Sequence, residues 1–123
     1  MSPVTKQKIL FVDDEEHWRN LVSASLAEAG FDVLVASDGS EAMHKAAGSR
    51  LGLMIVDEDL AGESGLMLTR FLRRNHSDVP TFLYTRNGHD PNRTLDIMRQ
   101  GADRCLPKGS MKDLLANVAY YVR

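Results

Sequence analysis

Cysteine is almost missing from this chain of 123 residues: Cys105 stands alone. No internal disulfide can form, which fits a reducing compartment. A large excess of either charge is missing too. The formal net charge of −2 gives no general pull toward nucleic acid or an anionic membrane. No apolar run approaches the length of a membrane span. Residues Met1 to Lys8 are polar and lack the apolar stretch of a secretory signal. Neither Gly-x-Gly-x-x-Gly nor Gly-x-x-x-x-Gly-Lys-Ser/Thr occurs, so no nucleotide cradle is visible. There is no internal repeat, low-complexity tract or linker, and no helix-turn-helix follows the last helical segment. What is present is ordinary: 43% hydrophobic and 26% charged residues, which excludes a disordered class. The length predicts one domain, residues 1–123, able to bury a core without staples. The expectation is a soluble, cytoplasmic chain with no nucleic-acid or membrane partner. It ends as its last helix ends, as a complete small protein or an excised domain would.

Apolar periodicity then divides the chain. Ile9 to Val12 predicts a short buried strand. Trp18, Leu21, Val22, Leu26 and Ala29 recur at helical spacing, with Gly30 as the stop. Phe31 to Ala36 predicts a second strand. Asp38 with Glu41 three residues later has the form of a capping box for a short helix ending near Gly48. Leu53 to Val56 is the third strand. Leu66, Leu68, Phe71 and Leu72 mark a third helix, with Arg70, Arg73 and Arg74 on or near its wet side. Thr81 to Tyr84 is the fourth strand. Asp90-Pro91 opens a fourth helix carrying Leu95 and Met98 and stopping at Gly101. Residues 104–106 form a weak fifth strand, and Ser110 caps a last helix with Leu114, Leu115, Val118 and Tyr121. This alternation predicts a doubly wound α/β fold: a parallel five-stranded sheet in the order 2-1-3-4-5, covered on both faces.

In such a sheet the active positions lie beyond the carboxyl ends of the strands. The first strand runs into Asp13 and Asp14, the third into Asp57 with Asp59 close behind, the fourth into Thr85, the fifth into Lys108. Strands 1, 3, 4 and 5 are neighbours, so acids, a hydroxyl and an amine share one crevice. Clustered carboxylates cannot all stay ionised without compensation. A hard divalent cation, Mg²⁺ before others such as Mn²⁺, relieves them. A carboxylate so placed can attack an electrophilic phosphorus. The metal, Lys108 and Thr85 can then hold the equatorial oxygens of the transferring group. Bland readings stand beside this one. Asp13-Asp14 equally suits a cap for the first helix, Thr85 an ordinary strand residue, and Lys108 a surface amine. His17, His44, His76 and His89 lack metal-ligand spacing. Trp18 and Phe71 read as core, Cys105 as a small buried packer, and the arginines of the third helix as a solvated face.

The ordered motifs "VDDEE", "DG-x-EA", "IVDEDLAGESG", "YT" and "GADRCLPK" resemble the receiver domain of two-component response regulators over nearly the whole chain. That resemblance implies a flavodoxin-like (βα)5 fold and a phosphoacceptor function rather than an enzyme acting on a separate substrate. Asp57 would be the phosphoacceptor. Asp13, Asp14, Asp57 and the backbone carbonyl of Asp59 would hold Mg²⁺. Thr85 would be the switch hydroxyl and Lys108 the phosphoryl contact. A histidine kinase or histidine phosphotransfer protein would be the donor. An output partner or attached domain would read helix 4, strand 5 and helix 5.

Several positions depart from the family pattern. Cys105 stands where a Tyr or Phe usually switches rotamer. Gly109 follows the lysine in place of a proline, and Ala61 also replaces a proline. Arg86 follows the threonine where a small residue is common, and a long cation there can cover the phosphoryl group or restrict the donor. Asp59 and Asn87 occupy positions that tune phosphoryl lifetime. Two alternatives stay open: a receiver-like module that docks a partner without phosphate, and a small haloacid-dehalogenase-type phosphatase, whose hydrophobic-run-then-Asp-x-Asp signature residues 53–59 also fit. Tyr120 or Tyr121 in the last helix offers a face for a homodimer.

Overall fold

The computed structural model describes residues 7–86 and 90–122. Asn87 and His89 lie outside the described residues. Five strands form one parallel sheet: β1 (Lys8–Val12), β2 (Asp32–Ala36), β3 (Leu51–Asp57), β6 (Thr81–Thr85) and β7 (Arg104–Pro107), in the order β2-β1-β3-β6-β7. Counting only these strands, this is the expected 2-1-3-4-5. Five helices connect and cover them: α1 (Glu16–Glu28), α2 (Gly39–Ala47), α3 (Gly65–Asn75), α4 (Pro91–Arg99) and α5 (Met111–Tyr121). Between β3 and α3 lies a hairpin of two two-residue strands, β4 (Asp59–Leu60) and β5 (Glu63–Ser64), turning at Ala61-Gly62. Sequence periodicity misses it, because two residues carry no alternation.

Central strands buried on both faces read as continuous apolar runs, and β1 from Ile9 to Val12 and β3 from Leu53 to Val56 obey this. Ile9, Phe11, Leu53 and Ile55 pack with Phe82, Tyr84, Val22, Leu26, Leu114 and Val118 on the α1–α5 side. Leu10, Val12, Met54 and Val56 pack with Ala42, Ala46, Leu68 and Leu72 on the α2–α3 side. A smaller cluster of Leu83, Ile97 and Ala102 seats α4. The third strand is longer than the expected Leu53 to Val56: it begins at Leu51 and includes Asp57. Gly52 hid this start, since glycine is depleted in strands and reads as a break.

Caps follow the sequence closely. Asp38, Asp90 and Ser110 accept the backbone N–H groups of Glu41, Arg93 and Asp113 at 2.8, 3.0 and 3.1 Å. The return arm of the capping box lands one residue early: Glu41 accepts from the Ser37 N–H at 3.2 Å. α1 has no side-chain cap at Glu15.

Four side chains sit otherwise than expected. Leu95 is 50% exposed, and Ile97 is the buried anchor of α4. Leu21 is more exposed than its spacing suggested. Phe71, read as core, is 44% exposed, because Leu68 and Leu72 on the adjoining stripe of α3 take the sheet-facing positions. Arg73 is not simply solvated. Its guanidinium donates to the Gly101 carbonyl at 2.8 Å, the Asp103 carboxylate at 2.7 Å and the Ser77 carbonyl at 3.1 Å. Asp103 also accepts the Thr81 N–H at 2.7 Å, so this pair fastens α3 to the start of β6. Asp103→Ala is expected to cost about 1–2 kcal/mol, the worth of charge-assisted hydrogen bonds discounted for partial exposure. Urea unfolding at constant slope would measure it, and a change within error would show that the network is ornamental.

Candidate phosphoacceptor site

The strand ends meet as the topology requires. Asp57 is the last residue of β3, Thr85 the last of β6, and Asp13 follows β1 directly. Asp13 and Asp57 are buried, whereas Asp14 reaches solvent. Oxygens of Asp13, Asp14 and Asp57 lie within 4.8 Å of one another. Into this cluster comes Lys108, whose side chain is only 2% exposed. Its Nζ lies 2.7 Å from Asp13 Oδ2 and 3.5 Å from Asp57 Oδ1. The bland reading of Lys108 as a surface amine is therefore set aside.

One buried ammonium cannot compensate three carboxylates. The consequence shows at Asp57, whose carboxyl is pushed up to about 6 by burial and then by Asp13, against the opposing pull of Lys108 and the Asp59 N–H. Main-chain donors organise the rest. Asp59 N–H donates to Asp57 Oδ1 at 3.2 Å and Glu15 N–H to Asp13 Oδ1 at 3.0 Å. Ala61 N–H donates to Asp14 Oδ2 at 2.9 Å, a bond that a proline at position 61 could not make. Gly109 has φ 139°, which proline cannot adopt either.

The floor of the site is aromatic. Lys108 Nζ lies 4.8 Å from the Trp18 ring centroid and 5.7 Å from that of Tyr84, within cation–π range. Both rings also meet edge to face at 6.0 Å. Neither was read as part of the site, because nothing in local spacing links positions 18, 84 and 108. Burial pushes the Tyr84 hydroxyl up to about 12, only partly opposed by the Gly109 amide, and the buried Oη lacks a well-formed hydrogen bond. Tyr84→Phe is thus expected to stabilise the fold by about 1 kcal/mol, since it removes an unsatisfied buried polar atom. A lower melting temperature in the variant would mean that the hydroxyl is paired after all.

The remaining sequence candidates fall around this centre. Thr85 is buried, and its hydroxyl donates to the Leu106 carbonyl over a long 3.4 Å. Arg86 donates to Glu15 Oε1 at 2.6 Å, which holds the guanidinium at the rim and lowers the Glu15 carboxyl below its ordinary value. Cys105 lies half-buried against the Leu83, Ile97 and Ala102 cluster, and burial raises its thiol.

The sequence matches the family model described as response regulator receiver domain over residues 9–119. The chain belongs to the response regulator receiver family. This receiver is 33% identical over 124 aligned residues to protein PetR of Rhodobacter capsulatus, covering 100% of this chain and 52% of PetR. It is 34% identical over 117 residues to a CpxR transcriptional regulatory homologue of Haemophilus influenzae, covering 94% and 50%. The chain spans about half the length of these two curated relatives. Among solved structures, chemotaxis protein CheY4 of Vibrio cholerae superposes with a TM-score of 0.88 at 27% identity, covering 96% of this receiver and 100% of that chain. The Thermotoga maritima response regulator TrrA, solved in complex with Mg²⁺–BeF, superposes at 0.83 with 29% identity, covering 94% and 99%. The fold is the flavodoxin-like one expected, and the family is that of two-component phosphoacceptor signalling domains. Among the described residues no helix is long and apolar enough to cross a membrane.

Proposed function

We propose that this receiver takes a phosphoryl group onto the Asp57 carboxylate from a phosphohistidine of a histidine kinase or phosphotransfer protein. The observation that carries this reading is Lys108, buried within reach of both Asp13 and Asp57. An amine is buried there at considerable cost unless it serves anions on both sides. Asp57 attacks phosphorus, the P–N bond to the donor imidazole breaks, and an acyl phosphate results. Lys108 needs only a small movement to pair with the incoming oxygens. The long Thr85–Leu106 hydrogen bond is weak, so the Thr85 hydroxyl can turn toward a phosphoryl oxygen at little cost.

The donor set fits a hard divalent cation: three carboxylates and the Asp59 carbonyl, with the Lys108 ammonium as buried counter-charge. Mg²⁺, or Mn²⁺ on the same oxygens, supplies charge neutralisation when bound. The receiver thereby assists its own phosphorylation and, through water, its dephosphorylation. It acts in the cytoplasm on an output partner or attached domain. Cys105, small where an aromatic is usual, restricts coupling through α4, β7 and α5 more than the chemistry itself. Arg86 and Asn87 adjust access and lifetime.

Intact mass after incubation with acetyl phosphate and Mg²⁺ tests the reading. One added phosphoryl group, lost on chelation, is the expected result. A mass unchanged both with acetyl phosphate and with a phosphorylated histidine donor would overturn it.

A further inference from the structure

Away from the acidic crevice, α2 and α3 leave an apolar groove open to solvent. Its walls are Met43 and Ala47 from α2, and Met67, Phe71 and Leu72 from α3. Two hollows of about 530 and 270 Å³ share Met43 and Phe71, so the groove is continuous along the helix pair. Met43, Met67 and Phe71 are 46%, 48% and 44% exposed. Three large apolar side chains side by side are not the scattered exposure of an ordinary surface.

Along α3 the charge beside the groove has one sign. α3 carries Arg70, Arg73 and Arg74 and no acid. Arg73 is occupied by Asp103, which leaves Arg70 and Arg74 exposed. They adjoin the apolar stripe directly: Arg70 contacts the Met67 sulfur at 3.9 Å, and the Arg74 guanidinium lies 4.8 Å from the Phe71 ring centroid. On α2, Glu41 and Lys45 form an ion pair with each other. Glu63 lines the α2 end of the larger hollow, where its carboxylate accepts the Gly39 N–H at 3.1 Å, away from Arg74 at the other end of α3.

We infer that this groove docks an amphipathic helix of a partner protein, apolar on one face and acidic along the flank that meets Arg70 and Arg74. An 11-residue α3 offers a trough of roughly 16 Å, about three helical turns. An apolar helix face laid in a groove is a recurrent mode of recognition. Methionines on both walls let the trough adapt to the incoming side chains. The arginines then set polarity and encounter rate. A second copy of this chain is the poorer occupant, because a two-fold contact through the groove brings the basic stripes toward each other.

The test uses a fluorescent peptide of about 18 residues, with leucines at i, i+3, i+4 and i+7 and glutamates on its flanks. Its twin carries lysine for every glutamate. The glutamate peptide is expected to bind at least tenfold tighter than the lysine peptide at low salt, and less tightly as salt rises. Amide shifts should centre on α2 and α3. Met67→Ser with Phe71→Ser should weaken binding tenfold or more while leaving the circular dichroism melt in place. Arg70→Glu with Arg74→Glu, surface changes that spare the fold, should reverse the preference. Equal affinity for the twins, shifts centred elsewhere, no binding of either, or a dimer in sedimentation that Phe71→Ser dissolves would each overturn the inference.

Discussion

Asp57→Asn is expected to give a protein that takes up no phosphoryl group yet is more stable than the native chain at neutral pH without divalent cations. The buried carboxyl titrates at about 6 in the fold against an ordinary value of 3.8. A carboxyl whose folded pKa is raised binds its proton more tightly in the native state. Its contribution is therefore most favourable at low pH and is lost as pH rises from 3.8 to about 6. Above that window the ionised group costs about 2–3 kcal/mol. Asparagine keeps the shape and never ionises. The two proteins should melt together near pH 4 and separate by roughly 10 °C at pH 7.5. Millimolar Mg²⁺ should narrow the gap by stabilising the native chain more than the variant. Parallel melting profiles from pH 4 to 8 would show that Asp57 bears no uncompensated charge. Phosphoryl uptake by the variant would place the acceptor elsewhere.

Gly65→Ala should cost about 3 kcal/mol or more, the upper range for overpacking, because the obstruction is backbone rather than a movable side chain. A Cβ at position 65 would overlap the Asp57 carbonyl oxygen and come within 2.8 Å of Glu58 Cα. The approach is close because the Gly65 N–H donates to the Glu58 carbonyl at 2.9 Å, which draws the first turn of α3 against the end of β3. Relief of the overlap must move the backbone that presents Asp57. Phosphoryl incorporation should therefore slow even where the variant is fully folded. Guanidinium unfolding together with the rate of mass gain checks both parts. A variant as stable and as fast as the native chain would mean that this contact has slack.

Strand ends were the legible part of the site. Each apolar run stops at a polar residue, and a parallel sheet places those stops on one edge whatever the connecting helices do. Asp13, Asp14, Asp57, Thr85 and Lys108 could be found in that way. The caps at Asp38, Asp90 and Ser110 were legible for a similar reason, since each bond spans only three residues. Arg86 and Glu15 are 71 positions apart, and Lys108 and Asp13 are 95 apart. No periodicity reports such pairs, and how helix and loop dock on the sheet decides them.

By itself, then, the sequence determined the order of the five sheet strands and five helices, the sheet they form and the acids at its edge, because these follow from local periodicity and a chain-wide topological rule. Only the tertiary structure decided that Trp18 and Tyr84 line the lysine, that the Ala61 N–H holds Asp14, and that Arg73 is fastened while Arg70 and Arg74 stay open. It also turned Phe71 from an expected core residue into the wall of a groove. Helical spacing states which residues share a face, but which face meets the sheet depends on how neighbouring helices fill the space between them.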